Sequence, residues 1–148
     1  MIRKAKITDL DQVIRLLYDD DLGRDRESIS KKLKQKYLSS FSEILESKYF
    51  DIFVMEKNNQ IIGFYQIMYL PHVSLKGAKR GQIESVRICS DFRRGGLGTK
   101  LMKHAIKVAR DKGCSIIQLT SNKKRKEIGR FYKNLGFSLS HYGYKLYF

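Results

Sequence analysis

The sequence predicts one α/β domain, in which helices flank a mixed sheet, and three observations carry that prediction. Segments that alternate apolar and polar residues, as strands do, are interspersed with segments whose apolar residues recur at helical spacing. The 148 residues are enough to bury one core. No linker, repeat or low-complexity segment divides them. We therefore assign residues 1–148 to a single domain.

The first half of the chain predicts a strand over residues 2–7, then two helices and a hairpin. The first helix starts after Thr8, where acidic residues occupy the first turn. Its apolar stripe consists of Leu10, Val13, Ile14 and Leu17. The second helix is predicted over 28–45, with Ile29, Leu33 and Tyr37 on one side. Residues 50–56 and 60–70 flank an Asn-Asn turn and indicate the hairpin.

The second half predicts two further strands, two helices and a closing hairpin. In chain order these are a loop over 71–81, a strand over 82–88, a helix over 97–112, a strand over 115–120, a helix over 124–135 and a hairpin over 137–148. The helix over 97–112 would bury Leu97, Leu101, Ala105, Val108 and Ala109 and end at Gly113. The closing hairpin is predicted because tyrosine and phenylalanine alternate there with polar residues.

The formal net charge of +15 is concentrated in the second half of the chain. Residues 1–73 hold 12 Lys and Arg against 11 Asp and Glu, whereas residues 74–148 hold 18 against 4. A basic half of this kind favours a polyanionic ligand or a nucleic acid. Lysines that merely decorate a solvated surface would give the same count, so the charge alone assigns no single lysine to a site.

The composition indicates a cytoplasmic protein without a membrane span or a metal site. The longest apolar runs are only a few residues, too short to cross a bilayer. The N-terminus leads directly into the first strand, without the apolar core of a signal peptide. Cys89 and Cys114 show neither disulfide nor metal-ligand spacing. His72, His104 and His141 are scattered along the chain.

Residues 82–101 join a strand, a glycine-rich turn and a helix start in that order. Glycines at 95, 96 and 98 let the backbone bend and let a ligand approach closely. The first N–H groups of the helix have no internal partner and attract anions such as phosphate. A dinucleotide fingerprint would need glycine at Leu101, and a P-loop would need lysine directly after Gly98, so both motifs are excluded.

The spacing that is present, Arg93-x-x-Gly96-x-Gly98, resembles the acetyl-CoA pyrophosphate loop of the GNAT superfamily of N-acetyltransferases. The run from Arg130 to Phe137, RFYKNLGF, is similar to the late helix of that superfamily and its exit. The predicted order of strands and helices also matches that fold from end to end. The resemblance implies a single-domain acyltransferase fold whose central sheet is splayed at the acetyl-CoA site.

The resemblance also implies acetyl-CoA as cosubstrate and assigns residues to it. Backbone N–H groups from Arg94 to Thr99 would hold the pyrophosphate, and backbone groups from Val86 to Ile88 would pair with the pantetheine arm like an added strand. The implied cofactor contacts are Val86, Arg87, Ile88, Arg93, Arg94, Gly95, Gly96, Leu97, Gly98, Thr99, Asn122, Arg125 and Phe131. The acceptor amine would enter between the strand of Val86 and that of Ile117.

One position departs from the superfamily's pattern. Many members carry an asparagine seven residues before the late tyrosine, where this chain has Arg125. Asn122 stands ten residues before it. Either the longer connection still lets Asn122 reach the cofactor, or Arg125 takes its place with a phosphate contact.

Acetyl transfer by direct attack in a ternary complex needs a neutral amine, a donor for the oxyanion and a proton for the leaving thiolate. The resemblance implies Tyr132 as general acid, since a phenol with a pKa of about 10 stays protonated at neutral pH. Glu84, the sole acid in the strand before the glycine turn, is the candidate base. The alternatives are a core aromatic at Tyr132 and an ion pair between Glu84 and Arg87. A backbone N–H near Ile88 would serve the oxyanion.

Two loops give conflicting indications about the acceptor. The loop after the first helix is acidic, which favours a cationic amine; its acids are Asp19, Asp20, Asp21, Asp25 and Glu27. The loop before the central strand is basic, which favours a phosphate, phosphonate or carboxylate; its bases are Lys76, Lys79 and Arg80. The segments 82–84, 119–125 and 140–141 are similar to the aminoalkylphosphonate N-acetyltransferase branch. We expect a small primary amine with an anionic end.

Three other functions stay open: acetylation of a protein or peptide amine, nucleic-acid binding, and an acyl-CoA sensor without turnover. Nucleic-acid binding explains the basic half but not the glycines at 95, 96 and 98, and no recognised binding motif accompanies the charge. We therefore expect no nucleic-acid or membrane partner. The oligomeric state stays open, with a homodimer as one option.

Overall fold

A computed structural model describes residues 1–20, 23–24, 27–28, 30–125 and 128–148, apart from the side chains at 31 and 32. The strands are β1 (Ile2–Lys4), β2 (Phe50–Lys57), β3 (Gln60–Pro71), β4 (Lys79–Ile88) and β5 (Ile116–Leu119). The helices are α1 (Leu10–Tyr18), α2 (Lys31–Glu46), the single turn α3 (Ser74–Gly77), α4 (Leu97–Asp111) and α5 (Ile128–Asn134). Short 3-10 turns lie at Ile7–Asp9 and Ser90–Phe92.

The five strands form one mixed sheet in the spatial order β1-β2-β3-β4-β5. Neighbours from β1 to β4 are antiparallel, and β5 joins β4 in parallel after the α4 crossover. The predicted α/β class with a mixed sheet is confirmed. No helix in the described part of the chain is long and apolar enough to span a bilayer.

Each face of the sheet carries its own apolar core, because strand side chains alternate between faces. On β2, Ile52 and Val54 pack with the α1 and α2 side, whereas Phe53 and Met55 pack with the α4 side. β3 is buried on both faces and supplies both cores. β3 is thus packed on both sides at the centre of the sheet. Its neighbour β4 ends at Ile88, shortly before α4 begins at Leu97.

β4 carries a bulge in its pairing with β3. The antiparallel register with β3 shifts between Phe64↔Arg87 and Gln66↔Glu84, so two residues of β4, Ser85 and Val86, oppose the single residue Tyr65 of β3. Within this bulge Ser85 has a φ of +54°. Pairing with β5 ends at Ile83↔Leu119, while β4 continues to Ile88. Residues 84–88 of β4 thus extend beyond the last pair with β5 and have an edge that pairs with no described strand.

The element boundaries and buried faces differ from the predictions in detail. β3 and β4 extend into the predicted loop over 71–81, where Leu70 pairs with Arg80 and Pro71 with Lys79. On α1, Leu16 is buried and Leu17 only partly so. On α4, Met102 is buried, whereas the predicted Leu97 and Val108 are partly buried. The predicted contact of Ile29 lies outside the described residues.

The predicted closing hairpin over 137–148 is wrong. Residues 138–148 form no strand and are exposed, and Phe137 alone packs on the core. The chain leaves α5 through a glycine cap, in which the N–H of Phe137 donates to the carbonyl of Tyr132 at 3.0 Å and Gly136 has a φ of +89°. Alternation indicates extended backbone, but a hairpin also needs a partner strand, and this segment pairs with no described strand of its own sheet.

Candidate active site

A cavity of about 430 Å³ opens between the end of β4, the start of α4 and α5. It is lined by Asp20, Val86, Arg87, Ile88, Phe92, Arg93, Arg94, Gly96, Gly98, Thr99, Arg125, Ile128, Phe131 and Tyr132. Most of the predicted site residues therefore meet in one place. Gly95 and Leu97 belong to the same turn, whereas Glu84 and Asn122 are not among the lining residues.

The open edge of β4 faces this cavity with backbone groups. The N–H of Cys89 donates to the carbonyl of Ile62 at 2.9 Å, so by strand alternation the N–H and C=O groups of Val86 and Ile88 point away from β3. Two arginine side chains donate hydrogen bonds to the carbonyl oxygens of Val86 and Ile88. Arg87 donates to the Val86 oxygen at 2.9 Å, and Arg93 Nε donates to the Ile88 oxygen at 3.1 Å.

The glycine turn brings the start of α4 to the cavity floor. Gly96 caps the helix with a φ of +73°, a conformation that side chains with a Cβ rarely adopt. A Cβ on Gly98 would lie 3.6 Å from the ring of Phe131, so a side chain there would extend into cavity space. The amides of Leu97, Gly98 and Thr99 are the first of the helix and have no intrahelical acceptor. This geometry fits a diphosphate.

A cluster of opposite charges borders the same cavity. Asp20 is 4% exposed, accepts a hydrogen bond from Arg125 and lies 3.6 Å from Arg87 Nη2. Burial raises the pKa of its carboxyl, but the Arg125 hydrogen bond and the charges of Arg87, Arg125 and Arg93 outweigh burial and hold the pKa below its ordinary value. Asp20 thus ties α1 to the cavity wall as a carboxylate.

Replacing Asp20 by asparagine should lower the free energy of unfolding at pH 7 by about 2–3 kcal/mol, because it removes the buried carboxylate that accepts from Arg125 and lies beside Arg87. The folded-state pKa lies below the unfolded value of about 3.9. The wild-type advantage is therefore complete above that value and disappears as the pH falls through the folded-state pKa. Urea unfolding at several pH values measures it.

Asp11→Asn is the matched control for that experiment, since Asp11 pairs with Lys34 at 2.9 Å while its side chain is 59% exposed. Exposed pairs contribute little. Equal losses for the two variants, or an Asp20→Asn loss that persists unchanged at acid pH, would contradict the role given to Asp20.

Tyr132 stands half-buried in the cavity wall. Its ring packs edge-on against Phe131 at 5.1 Å and Phe137 at 5.8 Å between centroids. Burial raises the pKa of its hydroxyl, an effect that Arg125 and Arg87 oppose and Glu84 reinforces. The net shift is upward, so the phenol holds its proton throughout the neutral range.

Glu84 is held by a chain of side-chain amides. Gln118 Nε2 on β5 donates to Gln82 Oε1 at 2.6 Å, and Gln82 Nε2 donates to Glu84 Oε1 at 2.8 Å. Gln82 is 8% exposed, so these hydrogen bonds are largely shielded from water. Glu84 thus accepts a hydrogen bond from Gln82, and Arg87 lies 3.6 Å from Asp20.

Asn122 and Arg125 have different surroundings. Asn122 Oδ1 accepts from the N–H of Lys124 at 2.9 Å, and its carbonyl accepts from the N–H of Arg125 at 3.0 Å. Asn122 thus stabilises the turn before α5, while Arg125 reaches the cavity.

The two loops with conflicting charge are partly neutralised within the protein. Asp19 accepts from the N–H of Ser90 at 2.7 Å and lies 3.7 Å from Arg93, and Glu27 accepts from the hydroxyl of Tyr37. Lys79 donates to the carbonyl of Lys112 at the end of α4. Asp21 and Asp25 lie outside the described residues. Neither loop therefore offers its whole charge to an acceptor.

The sequence analysis did not predict the ion pair of Asp20 or the presence of Phe92 and Ile128 in the cavity lining. It also missed the side-chain amides of Gln82 and Gln118. Phe92 was within reach of sequence reasoning, because it stands directly before the glycine turn. The ion pair was not, since Asp20 and Arg125 are 105 residues apart.

A family model described as acetyltransferase (GNAT) family matches residues 12–137. The chain belongs to the GNAT family. It is accordingly an acetyl-transferring enzyme, and the predicted family and enzyme class are confirmed. Members of the family use acetyl-CoA, and the GNAT glycine turn and basic lining described above fit its phosphates.

Known proteins resemble this GNAT chain over nearly its whole length. A crystal structure of a transcriptional regulator from Bacillus halodurans is 40% identical, with a TM-score of 0.97 over 100% of this chain and 99% of that one. The glucosamine-6-phosphate N-acetyltransferase of Arabidopsis thaliana is 25% identical, with a TM-score of 0.82 over 100% and 97%. An uncharacterized N-acetyltransferase of Methanocaldococcus jannaschii is 28% identical over 92% of this chain, which spans 59% of that relative's length.

Proposed function

We propose that this GNAT enzyme moves the acetyl group of acetyl-CoA to the primary amine of a small molecule with an anionic end, by direct attack in a ternary complex. One observation carries the proposal: Tyr132, the open edge of β4 and the glycine turn before α4 line a single cavity. A proton donor for a leaving thiolate thus lies beside a site suited to a diphosphate and an extended arm.

The cofactor's phosphates would bind the first amides of α4, with Arg93, Arg94 and Arg125 as cationic partners. Helix N-termini and arginines both favour phosphate. The open-edge groups of Val86 and Ile88 would pair with the amide-containing arm. Because arginine side chains lie on these carbonyls, binding would require the arginines to turn, and the phosphates offer them stronger, charge-assisted hydrogen bonds.

Acetyl-CoA supplies the acetyl group as a thioester, and side chains would manage the protons. Tyr132 would hold a proton for the thiolate, a role that its raised pKa supports. The N–H of Ile88, which points from the open edge, would donate to the developing oxyanion. Glu84, oriented by Gln82 and set back from the cavity lining, would draw the proton of the amine through water.

The anionic end of the acceptor is supported by two likenesses. Segments 82–84, 119–125 and 140–141 are similar to aminoalkylphosphonate N-acetyltransferases. The Arabidopsis relative is named for an acceptor that joins an amine to a phosphate. Residues 74–148, which include the cavity's arginines, carry nearly all of the net charge.

A panel of amines assayed for CoA release tests the acceptor class. We expect kcat/KM for 2-aminoethylphosphonate to exceed that for propylamine, a similar amine without the phosphonate, by roughly 10- to 100-fold, as one or two charge-assisted hydrogen bonds would give. Glucosamine 6-phosphate against glucosamine provides a second matched pair. A preference for spermidine, aminoglycosides or lysine-containing peptides would overturn the small anionic acceptor.

Nucleic-acid binding is a second candidate that one structural observation favours. The exposed face of α4 presents Lys100, Lys103, Lys107 and Arg110 at helical spacing, a basic stripe of the kind that contacts phosphate backbones. The Bacillus halodurans relative is named a transcriptional regulator. The melting temperature in the presence of acetyl-CoA or of duplex DNA separates the candidates, since a ligand of the folded state raises it.

A further inference from the structure

The turn that joins β3 to β4 is a strained hairpin tip, residues 72–78, with aliphatic side chains in water. Val73 is 99% exposed and Leu75 is 58% exposed. Leu75, Lys76 and Gly77 follow one another with φ values of +56°, +60° and +74°, a left-handed conformation that costs energy for residues with a Cβ. Neither the strain nor the exposure stabilises the fold, so together they indicate that the hairpin tip makes a contact outside the chain.

The hairpin tip lies at the end of the sheet that is remote from the cavity. β4 begins beside the tip at Lys79 and reaches the cavity at Ile88, about 30 Å away at the usual rise of a strand. α4 runs back in the opposite direction and ends beside the tip, where Lys79 Nζ donates to the carbonyl of Lys112 at 2.9 Å. The tip therefore belongs to a surface that the acetyl-transfer site does not use.

Basic side chains flank the hairpin tip and continue along α4. No acid occurs between Pro71 and Ile83. The exposed basic residues of this surface are Lys76 and Lys79 at the hairpin and Lys100, Lys103, Lys107, Arg110 and Lys112 on α4 and at its end. Of these, only Lys107 forms an ion pair within the described part of the chain, with Asp111. Most of this positive charge is therefore available to an anionic partner.

We propose that this surface docks the enzyme on an anionic lipid bilayer. Val73 and Leu75 insert among the headgroups, and the basic residues of the hairpin and α4 pair with lipid phosphates. Interfacial membrane anchors combine buried apolar area with attraction to anionic lipids in the same way. The sequence analysis expected no membrane partner, because no segment is long enough to cross a bilayer, but contact with the bilayer surface needs no such segment.

The chemistry of the hairpin tip favours a bilayer over other anionic partners. Nucleic acids are bound by basic residues that contact phosphates and by aromatic residues that stack on the nucleobases. The basic stripe of α4 would suit them, but Val73 and Leu75 would contribute nothing. A projecting aliphatic side chain fits a fluid bilayer, which opens around it, without the matching pocket that a protein partner would have to provide.

Co-sedimentation of the full chain with vesicles tests the docking. We expect binding to vesicles of phosphatidylcholine and phosphatidylglycerol in equal parts. Binding to vesicles of phosphatidylcholine alone should be weaker by at least about tenfold, because they lack the negative surface potential. Equal binding to both kinds of vesicle, or none to the anionic kind, would overturn the proposal.

Val73→Ser with Leu75→Asn tests the inserted side chains. This double variant should weaken binding to the anionic vesicles by about tenfold or more, the effect of withdrawing two aliphatic side chains from an apolar environment. Asparagine tolerates the left-handed conformation better than leucine does, so the variant should remain folded. Leu139→Asn is the control, since Leu139 is similarly exposed but lies in the C-terminal tail, and it should not change binding. An unchanged affinity of the double variant would overturn insertion.

Lys76→Asn tests the basic part of the surface. It should weaken binding by about fivefold, the contribution of one basic residue near an anionic surface. Lys36→Gln removes the same charge from α2, which packs on the opposite face of the sheet, and should not change binding. High salt should reduce the effect of Lys76→Asn, because attraction between charges is screened, and should leave the effect of the aliphatic double variant. Equal effects of Lys76→Asn and Lys36→Gln would overturn docking through this surface.

A fluorescent label reports insertion directly. In a background with Cys89→Ser and Cys114→Ser, a polarity-sensitive fluorophore is attached to Val73→Cys. Its emission should rise, and it should become shielded from iodide, when anionic vesicles are added, while the same label on Lys36→Cys should not respond. A label at position 73 that stays accessible to iodide in vesicle-bound protein would overturn insertion.

Duplex DNA and CoA complete the comparison. Tighter binding to duplex DNA than to the anionic vesicles would overturn the proposal and assign the basic surface to a nucleic acid. The variants of the hairpin tip should bind CoA with a dissociation constant within about threefold of the full chain's, because distant sites act independently. CoA binding thus shows that each variant is folded, and the docking is judged apart from the proposed function.

Discussion

Tyr132→Phe should lower kcat by about 100-fold or more, the lower end of what a positioned general acid contributes. The KM for acetyl-CoA should stay within about threefold, because the ring and its edge-on contacts with Phe131 and Phe137 remain. Release of CoA, followed with a thiol reagent, measures both constants, and the melting temperature checks the fold. A kcat within threefold of wild type would make Tyr132 a packing aromatic and leave the protonation of the thiolate to another donor.

The alkaline range gives a further check on the same residue. The raised pKa of Tyr132 means that its acid form persists up to and beyond pH 10. If the wild-type rate declines at any pH below 10, Tyr132→Phe should show the same decline at the same pH. Its rate should be lower than that of wild type at every pH.

Glu84→Gln is the contrasting variant. Without the base, kcat/KM should fall most near neutral pH, where the amine arrives as ammonium, and should recover toward the wild-type value above the amine's own pKa. A variant that only disturbs packing would lose activity equally at all pH values. Gln82→Leu, which removes the hydrogen bond to Glu84 Oε1, should show a weaker loss of the same shape.

Gly96→Asp should raise the dissociation constant of CoA by at least about tenfold over that of Gly96→Asn. The two side chains have the same shape, and asparagine and aspartate both tolerate the left-handed conformation at this position. A Cβ at Gly96 has no atom within 4 Å, so neither side chain is excluded by its surroundings. A carboxylate about 5 Å from a phosphate costs on the order of 1–3 kcal/mol, which is the expected difference.

Titration calorimetry at two salt concentrations measures this difference, which should shrink in high salt because the repulsion is screened. Both side chains meet the same strain at a φ of +73°, so the melting temperatures of the two variants without ligand should fall by similar amounts. Equal dissociation constants for the two variants would contradict binding of the phosphates at the start of α4.

Much of the fold was predictable because its signals are local. The hairpin of β2 and β3 follows from apolar alternation on either side of two asparagines, and α4 from helical spacing after the glycines. The observed boundaries of the strands differ from the predicted ones by a few residues, because the last pairs of a strand depend on the neighbouring strand. β4, for example, begins at Lys79 because β3 continues to Pro71 opposite it.

The residues of the site were likewise predictable only where they lie in local motifs. The glycine turn and Tyr132 lie in contiguous motifs, and the structure brings them to one cavity as expected. The amides that orient Glu84 were not predictable, because Gln118 meets Gln82 only through the parallel pairing of β5 with β4. The hydrogen bond by which the Asn122 carboxamide closes the turn before α5 was not predicted either, and a contact between Asn122 and the cofactor stays a prediction.

The sequence by itself determined the order of the main strands and helices from β1 to α5, the glycine turn and the family, since each depends on residues close together along the chain. Only the tertiary structure decided that Asp20 joins Arg87 and Arg125, that Glu84 is reached through two glutamines, and that the aromatic tail leaves its own sheet. The physical reason is common to all three. Ion pairs, side-chain relays and strand pairing join residues far apart in sequence, and their partners are chosen by packing.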